Sequence, residues 1–219
     1  MEERTLIEQL IQKDERIKIY KILHIGKSAF QRFIDESREF ANSKSFVPIK
    51  TRVLNCLIKR QFESDVLAAN FPFGVEFKNI NRGKETALFL KKDKVRMNMR
   101  KTNRKRILCN ETKISKYMLA ESSVNSKYEK QIKFLLEDEK NIHIGEDKHT
   151  FIILGYGIKD NEVVHLDFMI PDENMKYDTS YYNGLEEYKE VINTSVNDEN
   201  IEKSIVELKE EIKKFVFLD

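Results

Sequence analysis

Residues 149–170 read "HTFIILGYGIKDNEVVHLDFMI", and the fold turns on how this stretch is parsed. His149 to Ile158 is a continuous apolar run, the pattern of a central strand covered on both faces. "KDNE" at 159–162 is a turn signal. Behind it Val164, Leu166, Phe168 and Ile170 alternate with Val163, His165, Asp167 and Met169. The two runs predict an antiparallel hairpin, and Pro171 stops it.

Upstream, "FPFGVEFKNI", "ETALFL" and "KVRMNMRK" are short runs separated by "NINRGK" and "KKD", which predicts three strands joined by tight turns. Asn110 is a cap for a helix carrying Ile114, Tyr117 and Met118. Ser126 with Glu129 caps another, with Tyr128, Ile132, Leu135 and Leu136 on its apolar side. Residues 1–64 read as helices. Thr5–Glu8 and Ser28–Gln31 are capping boxes, Gly26 ends the first helical stretch, and Pro48 opens the helix of Val53, Leu57, Ile58 and Phe62. Residues 172–198 are polar and read as a long loop with a short helix at "LEEYKEVI". Ile201, Ile205, Leu208, Ile212 and Phe215 then form a helical stripe.

The expected fold is α+β. N-terminal helices precede a mixed or antiparallel sheet made of three strands, a helix and a two-strand hairpin, and a C-terminal amphipathic helix follows. Residues 1–69 are expected to be a helical region and 70–219 an α+β domain. The C-terminal stripe is expected to dock on its own fold, with an oligomer contact through 199–219 as the alternative.

No run of 18 apolar residues occurs and the acidic start "MEERTLIEQL" has no long apolar core, so a cytoplasmic protein with no membrane partner is expected. Cys56 and Cys109 are too few for a disulfide framework or a four-cysteine metal site. The net charge of +2 conceals two opposed halves. Residues 1–110 hold 25 basic and 13 acidic side chains, and residues 111–219 hold 14 and 24. A surface so polarised favours binding over chemistry.

The densest charge is "KKDKVRMNMRKTNRKR" at 91–106, nine basic residues and one acidic. As a strand it puts Val95, Met97 and Met99 on one face and Arg96, Asn98 and Arg100 on the other, about 6.6 Å apart. The expectation is a cationic face open to solvent. Lys92, Lys94, Arg96, Asn98, Arg100, Lys101, Arg104, Lys105 and Arg106 are the expected nucleic-acid-binding residues, because lysine and arginine gain affinity by displacing the counterions of phosphates. A helix-turn-helix reading of Ser28 to Phe62 would use Lys50, Arg52, Lys59 and Arg60, but ordinary helix packing accounts for that spacing.

Enzymatic signatures are weak. His165 and Asp167 share a strand face and His149 begins the neighbouring strand, a set that suits a metal or an acid–base pair, yet no nucleophile motif accompanies them. "GYG" at 155–157 is not followed by a helix pattern and is no dinucleotide fingerprint. No catalytic residue, metal ligand or cofactor is assigned.

Two resemblances follow from these motifs. The order helix, three strands, helix, strand resembles the core of the PD-(D/E)xK nucleases, with Glu76 and Lys78 in "EFK" and Asp65 upstream. That family needs its E-x-K on the third strand, whereas Glu76 falls on the first. A degenerate, binding-only version is the form this resemblance favours. The layout "NRGKETALFL", a basic strand, a helix and "HTFIILGYGIKDNEVVHLDFMIPDENM" is similar to an uncharacterised phage and mobile-element family of low-GC Gram-positive bacteria. That resemblance implies a setting of conflict between phage and host, and no site residues. The expected function is non-catalytic nucleic-acid binding. The alternative is an inhibitor or anti-defence factor whose partner is a host defence protein.

Overall fold

The computed structural model describes residues 5–80, 85–102, 114–128 and 149–194. Six strands form one mixed sheet: β1 (Gly74–Asn79), β2 (Thr86–Lys92), β3 (Val95–Lys101), β4 (Thr150–Lys159), β5 (Glu162–Pro171) and β6 (Asp178–Asn183). Their spatial order is their chain order. The first three make an antiparallel meander, β4 runs parallel to β3, and β5 and β6 return antiparallel. The "KDNE" turn is a two-residue loop in which Asp160 and Asn161 both have positive φ, 48° and 62°, the twist a tight hairpin demands. At the β2–β3 loop Asp93 has φ 45° and Lys94 follows.

β6 lies where the sequence reads as a loop. Its residues "DTSYYN" are all half-buried or exposed, so the apolar alternation that marks a core strand is missing. It occupies the edge of the sheet beside β5, where one-sided pairing tolerates a polar sequence.

Both faces of the central strands are buried, as the unbroken apolar run of β4 requires. One face packs Phe89, Phe151, Ile153 and Met169 against Met118 of the helix α5 described below. The other carries Leu90, Met97, Ile152, Leu154, Leu166 and Phe168. Asn125, itself buried, ties β4 to β5: its amide donates to the carbonyls of Phe151 and Pro171 and accepts from the Phe151 N–H.

Among the described residues the α-helices are α1 (Leu6–Leu10), α2 (Lys13–Glu36), α3 (Arg38–Ala41), α4 (Lys50–Arg60), α5 (Lys116–Ser122) and α6 (Leu185–Thr194). The Thr5–Glu8 capping box is formed. Gly26 does not end a helix, as its sequence position suggests. α2 runs through it, because a Cβ there would lie 2.7 Å from Ile58 Cα; the missing side chain lets α2 and α4 approach. The chain forms two compact units, one of residues up to 13 with 72–186, the other of 14–71 with 187 onward. The expected division at 69/70 differs at both ends of the chain. α1 packs on β5 and β6. In the second unit Arg16 binds Glu187 through two hydrogen bonds of 2.9 and 3.0 Å, and Tyr20 adds a third. The Ile201–Phe215 stripe lies outside the described residues, as do Ile132, Leu135, Leu136, Asn110 and Cys109.

Candidate nucleic-acid interface

The β2–β3 loop brings Lys91, Lys92 and Lys94 to one end of the sheet, and the start of β4 meets it there. Thr150 pairs with Val95, and its N–H donates to the Lys94 carbonyl at 2.6 Å. The segment after α5 closes on the same end. Lys127 Nζ donates to Thr150 Oγ1 at 3.1 Å and to the His149 carbonyl at 3.3 Å, and the Tyr128 hydroxyl lies 2.6 Å from Thr150 Oγ1.

Arg96 does not look out to solvent. β3 turns it toward α5, and its side chain is 11% exposed. Its guanidinium lies over the Phe89 ring, 4.2 Å from the centroid. It donates to Glu121 Oε2 at 2.7 Å, to Glu121 Oε1 at 3.2 Å and to Glu76 Oε2 at 2.8 Å. Lys91 also pairs with Glu76, and Lys78 with Glu121 at 2.9 Å. Hydrogen bonds from Lys91 and Arg96 hold the Glu76 carboxyl down at about 2. Burial pushes Glu121 up, but hydrogen bonds from Arg96 and Lys78 outweigh it and leave the carboxyl below its ordinary value.

Among the described residues the cations around this network outnumber the carboxylates: Lys78, Lys91, Lys92, Lys94, Arg96 and Lys127 stand against Glu76, Asp93 and Glu121. Burial and then the neighbouring Lys94 depress the Lys127 pKa. His149 Nε2 is buried without a hydrogen-bond partner. Burial, followed by the charges of Arg96, Lys127 and Lys91 against Glu121, lowers the His149 pKa. Such a group of cations around an unpartnered imidazole nitrogen is electrostatically prepared for an anion.

The expected contact residues therefore divide. Lys92 and Lys94 belong to this end; Lys92 lies 4.0 Å from Asp93, and Lys94 is exposed. Arg96 is committed to two carboxylates. Asn98 is 1% exposed, so it does not face solvent as expected; its Nδ2 donates to the Leu88 carbonyl at 3.0 Å. Arg100 and Lys101 are half-buried at the far end of β3, and burial lowers the Lys101 pKa. Arg104, Lys105 and Arg106 lie outside the described residues. The open cationic face expected along β3 is thus not formed in its middle, because α5 and Glu121 cover it.

The His/Asp/His set is not assembled. His149 precedes the first residue of β4, while His165 stands beside Gly157 at register, eight residues or roughly 26 Å along the strand. Among the described residues no three His, Cys, Asp or Glu side chains converge as metal ligands. Glu76 and Lys78 each bind other partners, and the third strand carries Arg96, Asn98 and Arg100 where the nuclease pattern needs its E-x-K. Of the helical cations, Arg60 is engaged by Glu63 and Asp65 at 2.8 and 2.6 Å. Glu121, Lys127 and Tyr128 are not visible as site residues in the sequence; no local motif marks them, and only the parallel crossing from β3 to β4 brings them in.

No protein-family model matches the chain, and no curated protein or solved structure does so. Among the described residues no helix is long and apolar enough to cross a membrane.

Proposed function

We propose that this is a non-catalytic nucleic-acid-binding protein whose phosphate contact is the lysine-rich end of the sheet, which carries Lys91, Lys92, Lys94 and Lys127. The observation that carries this reading is that, among the described residues, the lysines gathered at this end outnumber the carboxylates beside them, with Lys94 exposed. A phosphate supplies negative charge to a group of lysines that, among the described residues, exceeds its carboxylates. Contacts of this kind position a nucleic acid without reading its bases. Phage or mobile-element origin remains part of the proposal and rests on the sequence layout alone.

Fluorescence anisotropy with a labelled 20-mer duplex, its single strand and the matching RNA tests the reading. Binding is expected to be insensitive to sequence and to fall steeply with salt. Lys94→Glu is expected to weaken it at least tenfold with little change in Tm, since Lys94 is exposed. Undiminished binding by Lys94→Glu contradicts the site.

A second reading, a protein-binding inhibitor or anti-defence factor, draws on a different surface. Phe40, Val47 and Ile49 are 48%, 67% and 38% exposed around the turn between α3 and α4. The Phe40 ring packs tilted against Phe46, centroids 5.1 Å apart, beside this apolar patch. A partner seated there binds with little salt dependence, and Val47→Asp removes it.

A further inference from the structure

The two edges of the sheet are finished differently. At one edge α1 packs on β6. At the other, among the described residues, β1 pairs with β2 alone. Gly74, Phe77, Lys78 and Asn79, four of the six residues of β1, are exposed. Phe77 is a large apolar side chain left 38% in water. A bare strand edge offers a row of N–H and C=O groups to any second strand, and folds guard against this with proline, a bulge or a covering element. The segment "GVEFKN" holds no proline, its register with β2 runs unbroken from Gly74 to Asn79, and its exposure leaves it uncovered. Its two charges, Glu76 and Lys78, repel many strands but not a second β1.

β1 is complementary to itself. Laid antiparallel about a twofold axis at Phe77, two copies set Phe77 against Phe77, Val75 against Asn79, and Glu76 against Lys78 on each side of the axis. The smallest shift that keeps the same faces together is two residues. Either way it sets Glu76 against Glu76 or Lys78 against Lys78, and like charges directly opposite destabilise a sheet. Both charges can serve the contact: their side chains are 37% and 46% exposed. Lys91 and Arg96 both bind Glu76 through Oε2, which leaves Oε1 for the second copy. Lys78 donates to Glu121, and its ammonium keeps further donors. We propose that the chain forms a dimer by antiparallel pairing of β1 with β1 of a second copy, which joins the two sheets into one. The Phe77 rings make a cross-strand aromatic pair at its centre. The contact is isologous and therefore closes at two copies. An edge of six residues is small beside a standard interface of about 1,600 Å², so the dimer forms reversibly. The proposal does not depend on phosphate binding.

Sedimentation velocity on the full chain across a micromolar concentration series tests it. A monomer that gives way to a dimer is expected. Phe77→Lys is expected to weaken the dimer at least tenfold, because it removes the aromatic pair and sets two cations on the axis. Lys78→Glu is expected to do the same by setting carboxylates against each other. Circular dichroism checks that each variant is folded. Amide hydrogen exchange on wild type needs no substitution: Val75 to Asn79 are expected to gain protection as the dimer forms. The proposal is overturned if wild type is monomeric throughout the series. It is equally overturned if exchange in β1 is unchanged as the chain dimerises, or if folded Phe77→Lys dimerises as tightly as wild type.

Discussion

The two ends of β3 lie on one sheet face and carry arginine at equivalent pleats, yet they solve charge differently. At the first end Arg96 rests on Phe89 and meets two carboxylates, and among the described residues the lysines nearby outnumber the carboxylates. At the second, Arg100 and Asp167 share a row without touching, across a strand of glycines. The carboxylates within reach decide which arrangement forms: Glu76 and Glu121 meet Arg96, and among the described residues no carboxylate pairs with Arg100. Phe151 lies beside Arg96 in the register and Gly155 beside Arg100. The Phe89 ring beneath Arg96 builds a dry floor on which ion pairs strengthen, and Gly155 adds no side chain beside Arg100. The same residue type at the same pleat is thus a structural tie at one end and, among the described residues, makes no ion pair at the other.

The largest break in this comparison is expected from Gly157→Ala. Its Cβ would lie 2.1 Å from His165 Cε1, and the imidazole that must give way is buried and held by Thr102, so a loss of about 3 kcal/mol is expected by urea denaturation. Gly74→Ala is the control. Its Cβ meets only the Lys91 carbonyl oxygen at 3.7 Å, and stability should stay within about 0.5 kcal/mol of wild type. Equal losses at the two glycines would show that strand glycines matter here for reasons other than the imidazole.

Next in size is the ion-pair network. Arg96→Met leaves Glu121 largely buried beside Lys78 alone, and a loss of about 2 kcal/mol is expected from the same measurement. A smaller contrast sharpens the comparison further. Glu121→Gln should destabilise by about 1–2 kcal/mol because it removes an acceptor that Arg96 and Lys78 both use. Asp167→Asn keeps the acceptor for Tyr181 and alters only the unpartnered oxygen, so a change below about 1 kcal/mol is expected.

How much of this is legible in the sequence follows from where each signal is local. The unbroken apolar run of β4 and the "KDNE" turn are readable because burial on both faces and positive φ each leave a mark at the residue concerned. β6 is not, since an edge strand of "DTSYYN" needs no apolar alternation. Gly26 reads as a stop, because a glycine that admits a crossing helix looks the same in sequence as one that ends a helix. The cationic stripe is visible as composition, but its orientation is not. Alternation places Arg96 and Asn98 on the face opposite the methionines, which is correct, and solvent on that face, which is not. Whether a strand face is covered depends on α5, and Glu121 is 25 residues from Arg96. The row Arg100–Gly155–Asp167 rests on two register relations, which no single stretch records.

The smallest expected effect is on pH dependence. Glu76 is held at about 2 against an ordinary 4.5, and Glu121 is lowered in the same sense. A depressed carboxyl stabilises fully above its unfolded value and loses that contribution as pH falls through the folded one. The network should therefore weaken between about pH 4.5 and pH 2. Tm followed across that window should fall less steeply in Arg96→Met than in wild type; parallel curves would remove the network from the acid response.

The central claim is that the surplus charge at the lysine-rich end neutralises phosphates. Its most direct test is the slope of log K against log salt for duplex DNA, in wild type and in the Lys94→Ala, Lys127→Ala double variant. The account predicts a linear decline in wild type and a slope shallower by about 2 in the variant, roughly one unit for each phosphate no longer neutralised. An unchanged slope, or no binding by wild type at low salt, would contradict it.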